Sequence, residues 1–281
     1  MEIDYTELKK GGFMRQVQKN RFSMRLRLAA GRLDADQLPK LAEIAKKYGD
    51  CHIHLTARQG IEIPFIHFKD IEKVKSELAE VGLYHGVCGP RVRTVVACQG
   101  STVCPHGLID AQYIGKKIDE MYYGKELPHK FKFGVTGCPM ACLKPSENDF
   151  GVMGGVEPIW IEDNCIFCGL CEHVCRENAI KVEDSKVIFM REKCNLCGDC
   201  IYSCPSDAWK ESKSGYTILV GGKMGRHPQL GHKIVELVDE KKLFELIDKT
   251  LDFYDQYGEK GERFGETINR VGLDKFKEEV L

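Results

Sequence analysis

The sequence predicts an α+β fold that is interrupted by a small cysteine-rich domain. The first 90 residues show a β-α-β-β-α order of apolar patterns. A cysteine-rich segment at about 160–208 is followed by further folded sequence, namely the strand-like Gly215–Gly222 and helical apolar spacing over 232–256. Because folded sequence lies on both sides of this segment, we expect it to be an insertion and not a tail.

The N-terminal elements are predicted in order from their residue patterns. Alternating apolar residues predict a first strand, and apolar spacing of helical period predicts helices over about 36–48 and 70–81. Residues 51–56 and 61–66 are predicted as two strands joined by a turn at Gly60. This order is that of a ferredoxin-like half sandwich, which we place at 1–90. The alternating residues of the first strand are Phe22, Met24, Leu26 and Leu28.

The cysteine content indicates metal binding. The chain has 14 cysteines among 281 residues and a formal net charge of −1. Residues 1–21 lack the apolar core of a signal peptide, and no run approaches the roughly 20 apolar residues of a membrane span. We therefore predict a cytoplasmic protein with neither a membrane span nor a nucleic-acid partner. Disulfides are rare in that compartment, so metal ligation is the expected role of most of the cysteines.

Eight of the cysteines repeat the spacing C-x2-C-x2-C-x3-C twice. This spacing is typical of bacterial ferredoxins with two [4Fe–4S] clusters, in which the fourth cysteine of each run binds the other cluster. The alternative is a pair of zinc sites, but zinc closes with four ligands and does not require the third cysteine of each run. Arg176 replaces the proline usual after the first run. One predicted ligand set is Cys165, Cys168, Cys171 and Cys204, and the other is Cys175, Cys194, Cys197 and Cys200.

The inserted segment also differs from its surroundings in charge. Residues 160–208 hold nine Asp and Glu against five Lys and Arg, a net charge of −4, so the rest of the chain sums to +3. The overall balance therefore hides an acidic insert within a basic body.

A second group of cysteines lies before the insert. Cys98 and Cys104 are separated by five residues, and Cys138 and Cys142 by three. Four thiolates could hold a third [4Fe–4S] cluster, but two buried cysteine pairs or a zinc site would show the same spacing. The two isolated cysteines, Cys51 and Cys88, are expected to be buried thiols.

Two lysines precede the second cysteine pair in an alternating pattern. In a strand, Lys130 and Lys132 would project together while Phe131 and Phe133 face the core. Adjacent cations repel unless they are solvated or an anion lies between them. An isolated pattern of this kind is more often the basic outer face of an edge strand.

Several separated motifs, taken together, resemble the sirohaem-dependent nitrite and sulfite reductases, in particular the small catalytic subunit of the anaerobic-type sulfite reductases, which carries an inserted ferredoxin. The resemblance runs from about Phe22 to Leu281. The motifs are Thr56–Gly60, Arg93 before Cys98, Leu127–Lys132, the two cysteine pairs, Gly221–Pro228 and Glu262–Leu273.

This resemblance implies roles for individual residues. A [4Fe–4S] cluster would be bound by Cys98, Cys104, Cys138 and Cys142, and Cys142 would bridge the cluster to the sirohaem iron. The pocket on the far side of the haem would be lined by Arg58, Arg93, Lys130 and Lys132. Sirohaem carries eight carboxylates, and the further cofactor-binding candidates are Gln59, Arg91, Lys223, Arg226, Arg263 and Arg270, any of which could equally be an ordinary surface residue.

The expected activity is the six-electron reduction of sulfite to sulfide, with nitrite reduction to ammonia as an alternative in the same pocket. Arginine and lysine hold oxyanions well, and a lysine with a lowered pKa can also supply protons. No Gly-x-Gly-x-x-Gly follows a strand, so electrons are expected from a separate reductase subunit or ferredoxin. A non-catalytic polyferredoxin would explain eight cysteines but not the other four and the cations. A zinc-binding regulatory protein does not fit the repeated spacing.

The domain organisation that follows is a single reductase repeat with an insertion. The N-terminal half domain is placed at 1–90, the sirohaem-binding α/β part at 91–159 and 209–281, and the inserted ferredoxin at 160–208. Larger members of the family contain two copies of the repeat around one sirohaem. We therefore expect a homo-oligomer or a subunit of a complex, in which a second copy completes the site.

Overall fold

Two sheets and a small hairpin organise residues 3–281, the part of the chain that this computed structural model describes. The strands are β1 (Phe13–Arg15), β2 (Arg21–Arg25), β3 (His54–Leu55), β4 (Ile61–His67), β5 (Val96–Ala97), β6 (Phe133–Thr136), β7 (Phe150–Trp160), β8 (Ile180–Glu183), β9 (Lys186–Phe189), β10 (Trp209–Val220) and β11 (His232–Val238). The helices are α1 (Tyr5–Lys10), α2 (Leu38–Tyr48), α3 (Ile71–Ala79), α4 (Ala111–Tyr122), α5 (Leu170–Val174), α6 (Asp199–Tyr202), α7 (Glu240–Tyr257), α8 (Phe264–Val271) and α9 (Leu273–Val280). Among these helices, none is both long enough and apolar enough to cross a membrane.

The N-terminal half is an antiparallel sheet in the order β1-β2-β4-β3, covered by α2 and α3. Helix α2 buries Leu41 and Ile44, and α3 buries Val74 and Leu78, so each helix turns one apolar stripe to the sheet. The predicted β-α-β-β-α order is confirmed, with α1 and β1 added before it. The strand predicted at 51–56 is reduced to the two exposed residues of β3, because little apolar surface is available there to hold a longer strand.

The second sheet has the order β11-β10-β7-β6-β5. Strands β5, β6 and β7 are parallel, whereas β10 and β11 are antiparallel to their neighbours. Helix α4 makes the crossover between β5 and β6, as a parallel pair requires. The prediction of helix over 232–256 is wrong at its start, where β11 pairs with β10 at the sheet edge and the helix begins only at Glu240. The apolar spacing of 232–238 fits either structure, and sheet pairing decides between them.

The insert is connected through two long paired strands. Strands β7 and β10 pair from Phe150 opposite Val220 to Trp160 opposite Trp209, and residues 161–208 lie between these ends. The lobe contains α5, α6 and the β8–β9 hairpin around a small core that includes Ile180 and Trp209. The strand predicted at 215–222 is therefore longer than expected, because it extends towards the insert.

Candidate functional site

The candidate residues form two groups at opposite ends of the same parallel strands. Arg93 precedes β5 and Lys132 precedes β6, whereas Cys98 follows β5 and Cys138 follows β6. Since β5 and β6 run parallel, with Ala97 opposite Val135, the cations share one end of the sheet and the cysteines share the other. Six residues separate Lys132 from Cys138, which is about 20 Å of extended chain.

The cations line a single cavity of about 360 Å³, here called the basic pocket. Four of its lining side chains were predicted from the sequence: Arg58, Arg93, Lys130 and Lys132. Two further charged residues of the lining, Arg25 and Glu62, were not predicted, and they form an ion pair at 2.5 Å. Arg25 lies in an alternating strand whose pattern gives no functional signal. Five cations facing one carboxylate make this pocket a binding site for anions.

Arg58 is held in place by the ends of three segments. Its Nη1 donates to Asn148 Oδ1 at 2.6 Å, and its Nη2 donates to the carbonyls of Thr94 and Phe133 at 3.3 and 3.2 Å. Burial, together with the nearby cations, lowers the pKa of Arg58 to about 10. The residue in the left-handed conformation of this turn is Gln59, with φ 53°, and not the predicted Gly60.

Arg93 has an unpaired donor. Its two terminal nitrogens donate to the carbonyls of Val87 and Gly89 at 2.7 and 2.9 Å. Its Nε is buried and has no hydrogen-bond partner among residues 3–281. A buried donor without an acceptor is costly, so this position favours an anionic ligand that accepts from it.

The two lysines point away from the core on an irregular segment. Phe131 and Phe133 are fully buried while Lys130 and Lys132 line the basic pocket. The predicted strand is wrong in extent, because it begins only at Phe133 and residue 131 makes a single bridge to Val92. Burial lowers the pKa of Lys132 to about 8, with Arg58 as the next cause. Burial also lowers the pKa of Lys130.

A buried ion pair positions Lys132. Asp149 is inaccessible to solvent, and its Oδ2 accepts from the Lys132 backbone N–H at 2.9 Å and from Arg263 Nη2 at 2.7 Å. Arg263 Nε adds a bond to Oδ1 at 3.2 Å. Arg263 was expected to bind a cofactor, but the structure pairs it with Asp149, beneath the pocket. Nothing in the sequence around Asp149 predicts this role.

The other expected cofactor-binding residues make contacts within the protein. Both ends of the Gln59 amide bond to the Ala97 backbone, which fastens the Arg58 turn to β5. Three cations expected to be counter-charges are paired with glutamates, because folding brings these carboxylates within reach. The pairs are Arg91 with Glu126, Lys223 with Glu266, and Arg270 with Glu262. Arg226 is exposed in the loop after β10 and lies outside the basic pocket.

The first cysteine group lies beyond the carboxyl ends of β5 and β6. Cys98 Sγ accepts from the Gly137 N–H at 3.0 Å. A Cβ at Gly137 would stand 3.0 Å from Gly100 Cα, so only glycine allows the two loops to approach this closely. The pKa of Cys138 is raised mainly by burial and further by the thiols of Cys104, Cys98 and Cys142, which therefore lie near it. Cys142 is exposed, as a ligand facing a second group would be.

The eight cysteines of the insert surround two cavities. One cavity is lined by Cys165, Cys168, Cys171 and Cys204, and the other by Cys175, Cys194, Cys197 and Cys200. These are the two crossed sets expected from the spacing. Within residues 3–281, no three His, Cys, Asp or Glu side chains converge closely enough for one metal ion.

The two isolated cysteines differ. Cys88 is buried, as expected, and its Sγ lies 3.4 Å from Arg25 Nη1. The same prediction is wrong for Cys51, which is exposed in the loop after α2 at φ 57°.

Comparison with known proteins identifies the family. Residues 88–281 match the nitrite and sulphite reductase 4Fe-4S domain, and residues 14–81 match the nitrite/sulfite reductase ferredoxin-like half domain. The chain therefore belongs to the nitrite and sulfite reductase family, whose members are oxidoreductases.

Individual relatives agree with this assignment. A coenzyme F420-dependent sulfite reductase of Methanocaldococcus jannaschii is 37% identical over 87% of this chain, which spans 40% of that protein. A subunit of the anaerobic sulfite reductase of Salmonella typhimurium is 30% identical over 91% of this chain and 82% of its own. The fold is shared with the crystal structure of dissimilatory sulfite reductase I, at a TM-score of 0.77 and 21% identity over 92% of this chain and 69% of that one.

Proposed function

We propose that this chain reduces sulfite to sulfide at a sirohaem coupled to a [4Fe–4S] cluster. The observation that carries the proposal is the basic pocket, in which five cations and the unpaired Arg93 Nε face a single carboxylate. Similarity to sulfite reductases supports sulfite as the substrate.

The residues of the basic pocket divide into binding and proton-supplying roles. Arg58 and Arg93 are fixed by carbonyl and amide oxygens and stay charged, so they bind and orient the oxyanion. Lys132, with a pKa of about 8, can hold a proton near neutral pH and release it to a substrate oxygen that leaves as water. Lys130 lies beside it and supports the same transfer.

The cysteine groups fit the cofactors that the family implies. Cys98, Cys104, Cys138 and Cys142 would hold one [4Fe–4S] cluster, and the exposed Cys142 would join it to the sirohaem iron. The two crossed cysteine sets of the insert would hold two further clusters, so that 160–208 acts as a ferredoxin. When bound, the sirohaem and its cluster supply the electrons and the iron at which sulfite is reduced.

We further propose that each complete site is shared by two copies of the chain. The basic pocket and Cys142 lie at opposite ends of β5 and β6, about 20 Å apart along the chain. One iron bound at Cys142 cannot therefore face the pocket of the same copy. A second copy, turned so that its pocket meets Cys142, completes the site and makes two equivalent sites per dimer.

Complementation between two inactive variants tests this arrangement. Lys132→Ala removes the proton donor, and Cys142→Ala removes the bridging ligand. In a mixed dimer, the shared-site arrangement places both changes in one site and leaves the other intact. Co-expression should then restore about a quarter of wild-type turnover when half of the dimers are mixed. No recovery in purified mixed dimers would contradict the shared site.

The alternative function is nitrite reduction to ammonia, since a nitrite reductase of Emericella nidulans is 26% identical over 100% of this chain. Sulfite and nitrite kinetics with chemically reduced methyl viologen decide between them. A non-catalytic electron carrier is tested by the absorption spectrum after anaerobic purification. Sirohaem bands with about 13 iron atoms per chain support the reductase, and iron–sulfur absorption alone contradicts it.

A further inference from the structure

We propose that the cluster bound by Cys165, Cys168, Cys171 and Cys204 is where electrons enter the protein, and that its outer face docks an electron-transfer protein with a basic contact surface. This inference rests on the proposed function, because it assumes that the two cysteine sets hold clusters. It orders those clusters and assigns a partner chemistry to one face of the insert, here called the docking face and defined by Glu162, Asp163, Ile166, Cys168 and Leu170.

Strand β7 passes all three cysteine groups in turn. At Gly154 it touches the Gly137 carbonyl, next to the residue whose N–H bonds Cys98. Two residues further, the Val156 N–H donates to the Leu196 carbonyl at 2.9 Å, inside the loop of the second cysteine run. The strand ends at Trp160, opposite Trp209, which lines the cavity of the Cys165 set. At about 3.3 Å per residue, the path from Gly154 to Trp160 covers about 20 Å.

The Cys194 set is attached to the body of the protein. A Cβ at Gly198, in this cysteine loop, would meet the Val156 side chain at 2.7 Å. Arg191, just before the loop, pairs with Glu157 on β7 and Glu236 on β11 at 2.5 and 2.9 Å. This set therefore lies between the catalytic cysteines and the Cys165 set, and electron transfer is fastest between neighbours.

The Cys165 set is exposed on the side away from the body. Cys168 is exposed, as are the flanking Ile166 and Leu170, at 64% and 37%. Glu162 and Asp163 precede this loop, are exposed, and form no salt bridge among residues 3–281. An apolar centre beside free carboxylates suits transient docking of a redox protein, because steering comes from charge and close approach from the apolar contact.

The partner chemistry follows from the sign of that charge. The insert carries a net charge of −4, and the cation nearest its attachment, Arg191, is occupied by carboxylates of the body. A donor with lysines around its redox centre would be attracted to the docking face, whereas an acidic donor would be repelled.

The test measures electron transfer from the reduced enzyme to a basic cytochrome c. In each transfer one cluster loses one electron and one ferric haem becomes ferrous, so the step can be followed by absorbance. The test variant is Glu162→Gln with Asp163→Asn. The matched control is Asp255→Asn with Glu278→Gln, which removes the same charge from exposed positions on α7 and α9. Iron content equal to wild type shows that both variants are loaded, and Asp163→Asn alone replaces the double variant if that one fails to load.

We expect the test variant to lower the second-order rate about 10-fold at low ionic strength, and the control to leave it unchanged. The difference should vanish near 1 M salt, where the Debye length is about 3 Å. Equal rates for both variants, or a slower control, would overturn the docking face. Sulfite turnover with methyl viologen separates the two ideas, because its absence in the wild type contradicts the proposed function alone.

Discussion

Replacing Lys132 tests the assignment of the proton donor and can be predicted in some detail. Lys132 lines the basic pocket, and its pKa is lowered to about 8 by burial and by Arg58. Lys132→Ala should lower kcat/KM for sulfite at pH 7 by roughly 10²–10⁴, the usual effect of losing proton transfer or anion stabilisation. Cluster and sirohaem contents should stay at wild-type levels, because no cysteine contact is removed.

The pH dependence of this loss follows from the pKa. With a pKa of about 8, most of Lys132 is protonated at pH 7 and about a tenth at pH 9. The wild type therefore loses activity as pH rises through 8, whereas the alanine variant has no such group to lose. The ratio of wild-type to variant kcat/KM should fall about tenfold from pH 7 to pH 9. Protonation of sulfite itself affects both enzymes equally and cancels in the ratio.

The assay is steady-state sulfite reduction with reduced methyl viologen between pH 6.5 and 9.5. Lys241→Ala, at an exposed lysine on α7, serves as the control and should match the wild type throughout. Lys132→Arg should be slow but should not lose activity through this ionisation, since arginine stays charged. A ratio that does not change with pH, or an unchanged kcat/KM in Lys132→Ala, would refute proton supply by Lys132.

Three further predictions concern the surroundings of the two groups. Asp149→Asn leaves Arg263 without its buried partner and should lower the free energy of unfolding by about 3–5 kcal/mol in a denaturant titration; a loss below about 1 kcal/mol would argue against a structural ion pair. Gly137→Ala should reduce iron bound at the Cys98 group, since its Cβ would stand 3.0 Å from Gly100 Cα, and full iron content would contradict this. Cys204→Ala should remove about four iron atoms while leaving the sirohaem spectrum intact, and loss of the sirohaem would count against independent clusters.

The elements that could be predicted from sequence are those with strong local patterns. Helix α2 begins at Leu38 and ends at Tyr48, within two residues of the prediction, because its apolar stripe and Gly49 are local signals. Strand β11 was missed for the opposite reason. The spacing of Ile234, Val235, Leu237 and Val238 fits a helix as well as a strand, and only pairing with β10 makes it a strand.

The candidate site shows the same division. The crossed cysteine sets were predictable because cluster ligands are supplied by short loops whose spacing is visible in the sequence. The clustering of Arg58, Arg93, Lys130 and Lys132 came from resemblance, and the cavity they line agrees with it. Arg25, Glu62 and the Asp149–Arg263 pair were not predicted, since each contact joins residues distant in sequence that only the folded sheet brings together.

The sequence alone determined the class of cofactor chemistry, the crossed cysteine sets and the acidic character of the insert, because spacing and charge are local properties. Only the tertiary structure decided where these parts lie. Parallel pairing of β5 and β6 separates the cations from the catalytic cysteines, and the length of β7 sets the order of the insert's two cysteine groups. Strand direction and pairing depend on contacts between distant segments, so no local pattern could have revealed that one chain carries two halves of different sites.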